Sequence, residues 1–379
     1  MKKRIQTLDG VRGIAILLVL NGHATDTTAA GYTGWLTPLK WLPNSEVGVQ
    51  IFFVLSGYLI TSILIREYDA IGKIDIKAFY CRRILRIFPA FYLFLLFIVG
   101  LNAVGAIQLS RTYLALSAAH LVNYAQAIIL LLKLTNLPNA DYWFIGHLWT
   151  LSMEEQFYWM WPLALLFLLR TRWYGVLVVV VLVMPLIRVA SYDLFPGLRG
   201  QIMMMLHTGS DAIFAGCLLA VCLARHPGLS RKLIFSPWVV AILVVYIFKY
   251  GPLLNRMMPR GFGVVLGATL MIGAIVLTLA NILLHDGNAW YNWVLQRRPL
   301  VFLGRISYSL YLWQQVFLTR LDTTLLGKWP INLVAAIGVG WLSYRFVELP
   351  FIRLKDKYFP AHAKPAALVE AGAGAVTGA

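Results

Sequence analysis

Ionisable residues inside long apolar stretches are the first residues of this sequence that could do chemistry. Arg12 and His23 lie in an apolar run near the start of the chain, and Glu154 lies in a later one. A charged side chain near the centre of a bilayer costs a few kcal/mol or more, so such residues are rare and usually functional. A carboxylate beside an imidazole fixes its tautomer and stabilises the imidazolium that forms when the ring takes a proton from a hydroxyl group. We therefore expect Glu154 to lie beside His23, with His23 as the proton acceptor.

The spacing of these residues predicts which side chains share a helix face. Arg12 and His23 are eleven residues apart, which on an α-helix is about 16 Å of rise and almost a whole number of turns. His147 and Glu154 are seven residues apart, about 10 Å along one face, with Glu155 about 100° further round. Because two carboxylates cannot both face lipid favourably, at least one of them is expected to meet a partner inside the protein.

A basic cluster lies between the second and third apolar stretches. It contains Arg82, Arg83 and Arg86, and in a helix Arg82 and Arg86 would share one face with Arg83 alongside. Planar guanidinium groups bind phosphate oxygens in pairs. The cluster therefore predicts a cradle for the phosphates of a cytosolic ligand. The alternative is contact with anionic lipid head groups.

Each of the membrane-level residues also has a structural interpretation. Arg12 could extend to the cytoplasmic interface, or pair with Asp9, three residues before it. His23 could be a hydrogen-bonded packing residue, and Glu154 could hold helices together. Their positions within apolar runs favour the functional interpretation.

Two further acids, Asp211 and Glu348, lie at membrane level or near the interface. For both, a structural ion pair is the favoured interpretation over catalysis. Arg345 and Arg353 are the expected partners of Glu348.

The composition places the chain in a membrane. Sixty per cent of its 379 residues are hydrophobic and 13% are charged, against roughly 25% charged residues in soluble domains. The net charge of +17 comes from short Lys and Arg clusters between apolar stretches, which are topology signals rather than a nucleic-acid-binding face. Cys81, Cys217 and Cys222 lack the spacing of a metal site. We therefore expect no metal, no disulfide and no nucleic-acid partner.

Ten stretches have the roughly 20 residues needed to cross a bilayer, which predicts an all-α integral membrane protein, a bundle of about ten transmembrane helices. They are 10–28, 47–65, 88–107, 147–169, 174–190, 206–224, 235–250, 262–284, 301–319 and 331–350. With ten spans, most Lys and Arg clusters and both termini are cytoplasmic. The apolar stretch 112–132 is then a re-entrant or interfacial segment. Residues 1–355 are expected to form one transmembrane domain, and 356–379 a disordered cytoplasmic tail.

Six sequence blocks resemble those of membrane-bound acyltransferase family 3, which comprises sugar and macrolide O-acyltransferases. The blocks are LDGVRG at 8–13, FFVLSGY at 52–58, RRILRIFP at 82–89, LWTLSMEEQFY at 148–158, SYSLYLW at 307–313 and YRFVELPF at 344–351. Each block alone is modest evidence. Together they follow the order of the family over almost the whole chain, so the chain is identified as a member of it.

The resemblance implies an enzyme of the bacterial inner membrane that moves an acyl group, usually acetyl, from cytoplasmic acyl-CoA to a hydroxyl of a carbohydrate. His23 matches the essential histidine of the family, Arg12 its arginine and Glu154 its acidic position. The basic motif of the family corresponds to Arg82, Arg83 and Arg86.

The sequence departs from the family pattern in two places. Gln314 follows Trp313 where many relatives have a histidine, so this position is not expected to carry proton transfer. Some relatives continue into a soluble esterase-like domain, whereas only a short tail follows the last apolar stretch here. The protein is therefore expected to acylate its acceptor directly, or to pass the acyl group to a separate partner protein.

On this hypothesis, the phosphates of acyl-CoA rest on the three clustered arginines and the pantetheine arm passes Arg12. The thioester then reaches His23, which is oriented by Glu154 or by His147 and acts as a general base or forms a transient acyl-enzyme. Further residues expected to contact the substrate are His147, Glu155, Tyr158, Asp211 and Ser56.

The acceptor remains open on the sequence alone. A surface polysaccharide, an O-antigen, a lipid-linked sugar or a macrolide-like small molecule would each supply a hydroxyl group. A secondary transporter or lipid-linked sugar flippase would also place ionisable residues at membrane level. The ionisable residues gather in the first 160 positions instead of being shared between two repeats, which favours the acyltransferase.

Overall fold

The computed structural model describes residues 2–27, 45–134, 140–257, 266–285, 289–319 and 325–360, apart from the side chains of 2–5, 25–27, 230–231 and 255–256. Over these ranges the protein is helical and contains no β-strand. The helices up to residue 209 are α1 (Lys2–Thr27), α2 (Ser45–Ile71), α3 (Ile76–Ala103), α4 (Arg111–Ala118), α5 (Ala125–Leu131), α6 (Trp143–Gly146), α7 (Leu148–Thr171), α8 (Gly175–Leu194) and α9 (Leu206–Gly209).

The helices from residue 211 onward include two that pass through a π-helical turn. They are α10 (Asp211–Arg225), α11 (Pro227–Lys232), α12 (Pro237–Val245), α13 (Gly251–Met257), α14 (Ala268–Leu284), α15 (Trp290–Leu295), α16 (Arg298–Phe317), α17 (Ile331–Ser343) and α18 (Leu349–Tyr358). The π-helical turn Tyr246–Tyr250 joins α12 to α13, and the turn Tyr344–Glu348 joins α17 to α18.

Four helical stretches of the described residues are long and apolar enough to cross a bilayer. They are α2, α3, α8 and the continuous helix Pro237–Leu254 that begins with α12. On this last helix, Trp238 and Ile242 are 81% and 67% exposed. An apolar face of this kind is unfavourable in water and favourable against lipid. The protein is therefore a helical membrane protein.

The predicted bundle of ten transmembrane helices is not confirmed. The predicted span 206–224 is divided between α9 and α10, and both α7 and α16 contain charged residues. Polar side chains that meet one another inside the protein lower the hydropathy of the inner helices. In three of the four stretches that hydropathy detects most residues are not buried, whereas α2 is mostly buried. Residue 28 and residues 262–265 of two predicted spans lie outside the described residues.

The stretch 112–132 forms two short helices that pack beside α7. The helices α4 and α5 have eight and seven residues, far fewer than the roughly 20 needed to cross a bilayer. Gln156 of α7 donates to the carbonyl oxygen of His120 at 2.8 Å and accepts from Asn123 at 3.1 Å. These bonds hold the stretch against α7, and it does not form a continuous span.

The last described helix continues beyond residue 355, the predicted end of the transmembrane domain. Helix α18 continues to Tyr358, three residues into the segment 356–379 that was expected to be a disordered tail. Its last two turns carry Lys355 and Lys357, which interact favourably with the carbonyl end of the helix. Residues 361–379 of the predicted tail lie outside the described residues.

Glycines permit the closest approach of α1 to the end of α15 and to α16. A Cβ atom at Gly10 or Gly13 would overlap the backbone carbonyl groups of Leu295 or Leu300, and one at Gly304 would overlap that of Asp9. In membranes, helix association depends on van der Waals packing, which small residues bring to short range. These glycines therefore fix the position of α1 against α16, the two helices that carry Arg12 and the SYSLYLW block.

Helices α2 and α10 cross in the same way. A Cβ atom at Gly57 would overlap the carbonyl group of Ile213, and one at Gly216 would overlap that of Val54. Helix α2 also contacts α1 and α7. The two glycine crossings thus place α1, α2 and α16 around a shared interior, which α7 also reaches.

We predict that Gly304→Ala destabilises the protein, whereas Gly338→Ala does not. The added methyl group at residue 304 meets backbone, and overpacking of this kind costs about 1–3 kcal/mol. At Gly338 of α17, a Cβ atom would meet no heavy atom of the described residues within 4 Å, and Gly→Ala at such a helix position stabilises by roughly 0.5–1 kcal/mol. Thermal melting of both purified variants in detergent measures the difference. Equal melting temperatures would contradict the glycine-mediated crossing.

Candidate active site

A cavity of about 90 Å³ lies between α1, α2, α3, α7 and α16. Its polar lining includes Arg12, Ser56, Arg83, Arg86 and Glu154. Aromatic and aliphatic side chains from the same helices form the rest of its wall. An interior cavity with a few convergent polar groups is the usual setting of a ligand site, so this cavity is the candidate site.

Glu154 is held by partners on two other helices. It accepts a hydrogen bond from Ser56 Oγ of α2 at 2.6 Å, and its second oxygen lies 3.6 Å from Arg83 of α3. Arg83 also donates from Nε to Glu155 at 3.2 Å, and its guanidinium lies over the ring of Tyr158 at 3.5 Å. Four of the residues predicted from the sequence therefore form one network with Arg83, and two carboxylates compensate the charge of Arg83.

The three clustered arginines, which the sequence predicts to bind phosphate groups, have different partners in the structure. Arg82 forms an ion pair with Glu67 of α2 at 3.0 Å, and Glu67 also accepts from the backbone N–H of Asp75 at 2.9 Å. Arg83 is engaged by Glu154 and Glu155. Arg82 and Arg83 therefore pair with different carboxylate groups. The third member of the cluster, Arg86, lines the cavity without such a partner among the described residues.

Arg12 and Arg86 share the cavity without a direct carboxylate partner. Among the described residues, neither guanidinium forms a hydrogen bond or an ion pair shorter than 4.0 Å, although Asp9 and Glu154 lie within electrostatic range of Arg12. Arg12 and Arg86 also lie within range of each other. Two neighbouring positive charges in a partly buried cavity repel each other, and an anion between them would relieve this repulsion.

His23 lies away from this cavity. Its Nδ1 atom is 3.1 Å from Gln314 Oε1 of α16, and the edge of its ring faces Trp143 at 5.4 Å between centroids. Eleven residues along α1 place His23 about 16 Å from Arg12. His23 is not among the described residues that line the cavity, so the two parts of the predicted site lie at different levels of the same helices.

The expected pairing of Glu154 with His23 is wrong, and the direction of α7 explains why. His147, just before α7, lies 2.6 Å from Gln315 Oε1, next to the His23 partner Gln314. Glu154 is seven residues further along, about 10 Å away. Helix α7 runs from the level of His23 towards the cavity, and therefore Glu154 meets Arg83 instead of the imidazole.

His147 has a structural role. Its Nε2 atom is 3.1 Å from the carbonyl oxygen of Leu312 and its Nδ1 atom is bonded to Gln315. The side chain is buried, and the Tyr311 hydroxyl group donates to the backbone carbonyl of His147 at 2.9 Å. With both ring nitrogens engaged, His147 joins the start of α7 to α16 and is not placed to accept a proton from a substrate.

Asp211 also lies outside the cavity, in a buried ion pair. Its carboxylate is 2.5 Å from Arg188 of α8, and Arg188 also donates to the carbonyl oxygen of Thr208 at 2.7 Å. Arg188 is fully buried. The structure therefore gives Asp211 the structural pairing that the sequence favoured, although Arg188 was not identified as its partner.

Two other expected ion pairs are replaced. Glu348 accepts from Ser309 Oγ at 2.8 Å rather than pairing with Arg345 or Arg353, because both of these arginines are exposed on the outer side of the turn and of α18. Asp9 forms its ion pair with Arg305 of α16 at 3.4 Å. The carboxylate of Asp9 is therefore shared between Arg305, in contact, and Arg12, in electrostatic range.

Sequence reasoning missed the contribution of α16 to this region. Ser307, Tyr308 and Tyr311 line the cavity, and Gln314 contacts His23 one turn beyond them. Residues 307, 311 and 314 follow the spacing of one helix face, so the SYSLYLW block contained a signal that could have identified them. Among the described residues, no group of three or more His, Cys, Asp or Glu side chains could hold a metal ion.

Helices that surround an interior cavity with two arginines facing it define a polytopic membrane protein with a cationic internal site. Residues 5–345 match the acyltransferase domain family, and the chain belongs to this family. The resemblance to membrane-bound acyltransferase family 3 is thereby confirmed.

The chain is also similar to several named O-acetyltransferases. The chain is 28% identical over 383 residues to the O-acetyltransferase OatA of Staphylococcus aureus (strain NCTC 8325 / PS 47), and equally to OatA of strains COL and MRSA252. Each match covers 94% of this chain and 58% of the relative. The chain thus spans somewhat more than half the length of these relatives. No solved structure matches it.

We predict that Asp211→Asn destabilises the protein strongly, whereas Asp356→Asn does not. Breaking a buried pair leaves Arg188 with an uncompensated charge, which costs about 3–5 kcal/mol. The Lys355–Asp356 pair is exposed, with the Asp356 side chain 66% accessible, and such pairs contribute about 0–1 kcal/mol. Thermal melting in detergent compares the two variants.

The double variant Arg188→Met with Asp211→Leu serves as a second control. Replacement of both charges by apolar groups is often neutral or stabilising, so this variant is expected to melt well above Asp211→Asn. If all three variants melt like the wild type, the pair does not stabilise the fold, and Asp211 returns as a candidate for the substrate site.

Proposed function

We propose that this protein transfers an acyl group, foremost an acetyl group, from cytoplasmic acyl-CoA to a hydroxyl group of a carbohydrate acceptor. Membership of the acyltransferase family and the names of the O-acetyltransferase relatives support the reaction class. The observation that carries the choice of donor is the pair of arginines, Arg12 and Arg86, that face one cavity without a direct carboxylate partner among the described residues.

The phosphate groups of the donor are assigned to Arg12 and Arg86. Arg82 and Arg83 are paired with Glu67, Glu154 and Glu155, and these carboxylates offset their charge and repel an anion. Arg12 and Arg86 have no such contact among the described residues. Bidentate bonds from guanidinium groups to phosphate oxygens are among the stronger hydrogen bonds in proteins, so these two residues supply most of the donor affinity in this proposal.

The separation of Arg12 from His23 suits a donor with a long flexible arm. The two residues lie about 16 Å apart along α1. A pantetheine arm would bridge this distance inside the helix bundle, with its phosphate end at the arginines and its thioester at His23. In this arrangement Glu154 is a positioning residue, which holds Ser56 and Arg83 at the wall of the cavity.

The chemistry at His23 is general base catalysis. The imidazole takes the proton of the acceptor hydroxyl group while the hydroxyl oxygen attacks the thioester carbonyl carbon. The carbon–sulfur bond then breaks, and the thiolate of CoA takes the proton from the imidazolium. The products are the acyl ester and free CoA, and His23 returns to its neutral form.

The acceptor is proposed to be a surface polysaccharide, an O-antigen or a lipid-linked sugar. The proposal includes both direct acylation of this acceptor and transfer of the acyl group to a separate acyl-accepting protein. The clusters of Lys and Arg between apolar stretches support an inner-membrane location with both termini in the cytoplasm.

The test of this proposal is acetyl transfer by the purified protein in lipid nanodiscs, with release of free CoA as the readout. Arg12→Met and Arg86→Met are each expected to raise the KM for acetyl-CoA about 10- to 100-fold, since a hydrogen bond to a charged group contributes roughly 1.5–3 kcal/mol. Arg353→Met, which changes an exposed arginine of α18, is the matched control and should leave the KM unchanged.

Acetyl-pantetheine, which lacks the phosphates, separates donor binding from other effects of these variants. With this donor the wild type and the two arginine variants should have similar KM values. A difference as large as that seen with acetyl-CoA would show that the arginines do not bind phosphate. The wild type could release no CoA with any sugar acceptor and instead transport sugar into vesicles. That result would show that the protein is a transporter and not an acyltransferase.

A further inference from the structure

Gln314 is the polar residue of α16 that contacts His23. It is fully buried, and its Oε1 atom lies 3.1 Å from His23 Nδ1. Ser307 and Tyr311 of the same helix line the cavity. Gln314 follows Tyr311 by three residues, which continues this face of α16 by about 4.5 Å. The Gln314 amide therefore lies on the same face of α16 as the cavity-lining residues, at the level of the His23 ring.

The amide oxygen determines which nitrogen of His23 carries the proton. A carbonyl oxygen can only accept a hydrogen bond, so the contact places the proton of the neutral ring on Nδ1 and the lone pair on Nε2. Trp143 supports the ring from its edge. The indole N–H of Trp143 donates to the carbonyl oxygens of Gln315 and Leu318 at 3.2 and 2.9 Å, so α16 also positions this second neighbour of His23.

The nitrogen end of the same amide has no partner among the described residues. Gln314 Nε2 is buried and makes no hydrogen bond to any residue that the structure describes. Buried donors are nearly always paired in folded proteins, and a group left unpaired loses its hydration without replacement. An N–H group of this kind, on the side chain that holds the proposed base, is suited to an oxygen atom of a bound ligand.

Gln315 provides an internal comparison. Its side-chain amide lies 2.6 Å from His147 Nδ1. The Leu312 carbonyl, however, accepts from Nε2–H of His147, so the neutral ring of His147 has its lone pair on Nδ1, the opposite tautomer to that assigned to His23. Two consecutive glutamines thus each hold one histidine, and the ring held by Gln315 has a structural role.

We propose that Gln314 is the positioning residue of His23. It holds the Nδ1–H tautomer, so that Nε2 takes the proton of the acceptor hydroxyl group, and its Nε2 amide donates a hydrogen bond to the carbonyl oxygen of the bound acyl group. The amide itself neither gains nor loses a proton during transfer. This inference rests on the proposed function, and it assigns to Gln314 the orientation of the imidazole that the sequence had assigned to Glu154.

The first test measures the tautomer without any need for activity. Protein labelled with ¹⁵N-histidine is compared with His23→Asn, and the signals lost in that variant belong to His23. The proposal predicts a neutral imidazole with its proton on Nδ1 in the wild type, and a mixture of tautomers in Gln314→Met. A proton on Nε2 in the wild type would overturn the proposal.

The second test measures kinetics in a series at residues 314 and 315. Gln314→Met is expected to lower kcat roughly 10- to 100-fold, part of the 10²–10⁴-fold that a general base contributes, with little change in the KM for acetyl-CoA. Gln314→Glu keeps an acceptor for Nδ1, so kcat recovers in part. Its carboxylate stabilises the imidazolium, so the acidic limb of the kcat/KM profile moves to higher pH.

Gln315→Met and Gln315→Glu are the matched controls, because they alter the same helix and the neighbouring histidine. They are expected to lower the melting temperature without moving the acidic limb. If Gln314→Glu has the same kcat as Gln314→Met and the acidic limb of its kcat/KM profile does not move, Gln314 has a structural role only and the inference is wrong. If the wild type transfers no acyl group, the proposed function fails, while the tautomer measurement still decides the role of Gln314.

Discussion

Compensation of buried positive charge organises the interior of this protein. Arginine cannot lose its proton under ordinary conditions, so each guanidinium inside a membrane protein needs a carboxylate, a carbonyl group, water or a ligand. Arg82, Arg83 and Arg188 each have a carboxylate within 3.2 Å. Those three pairs hold helices together. Arg12 and Arg86 have no such contact among the described residues, and the site is located where they meet.

The helix crossings make this distribution of charge possible. Glycines bring α1 close to α16 and α2 close to α10, which leaves room for a narrow cavity instead of a loosely packed interior. On the same pair of helices, Arg12 faces the cavity and His23 contacts Gln314 further along. The cationic region and the imidazole therefore lie on the same two helices, and in the proposed function the acyl donor extends from one to the other.

The sequence predicted the helical class, the family and the cavity positions of Arg12 and Glu154, because charged residues in apolar runs have few places to lie. It could not predict which arginine pairs with which carboxylate, since that depends on the direction and depth of α7 relative to α3. The pairing of Glu154 with His23 failed for this reason. Gln314 stands where many relatives have a histidine, so the sequence predicted no proton transfer at this position, although an amide can still select the tautomer of a histidine. The ten-span bundle was not confirmed because hydropathy alone does not show where a helix is divided.

The most direct measurement is the structure of the protein in lipid nanodiscs with a thioether analogue of acetyl-CoA that cannot transfer its acyl group. The account predicts phosphate oxygens within hydrogen-bond distance of Arg12 and Arg86, the acyl end beside His23 and Gln314, and unchanged pairs of Arg82 with Glu67 and of Arg83 with Glu155. Phosphates bound to Arg82 and Arg83 with these pairs broken, or an analogue whose acyl end lies away from His23, would contradict it.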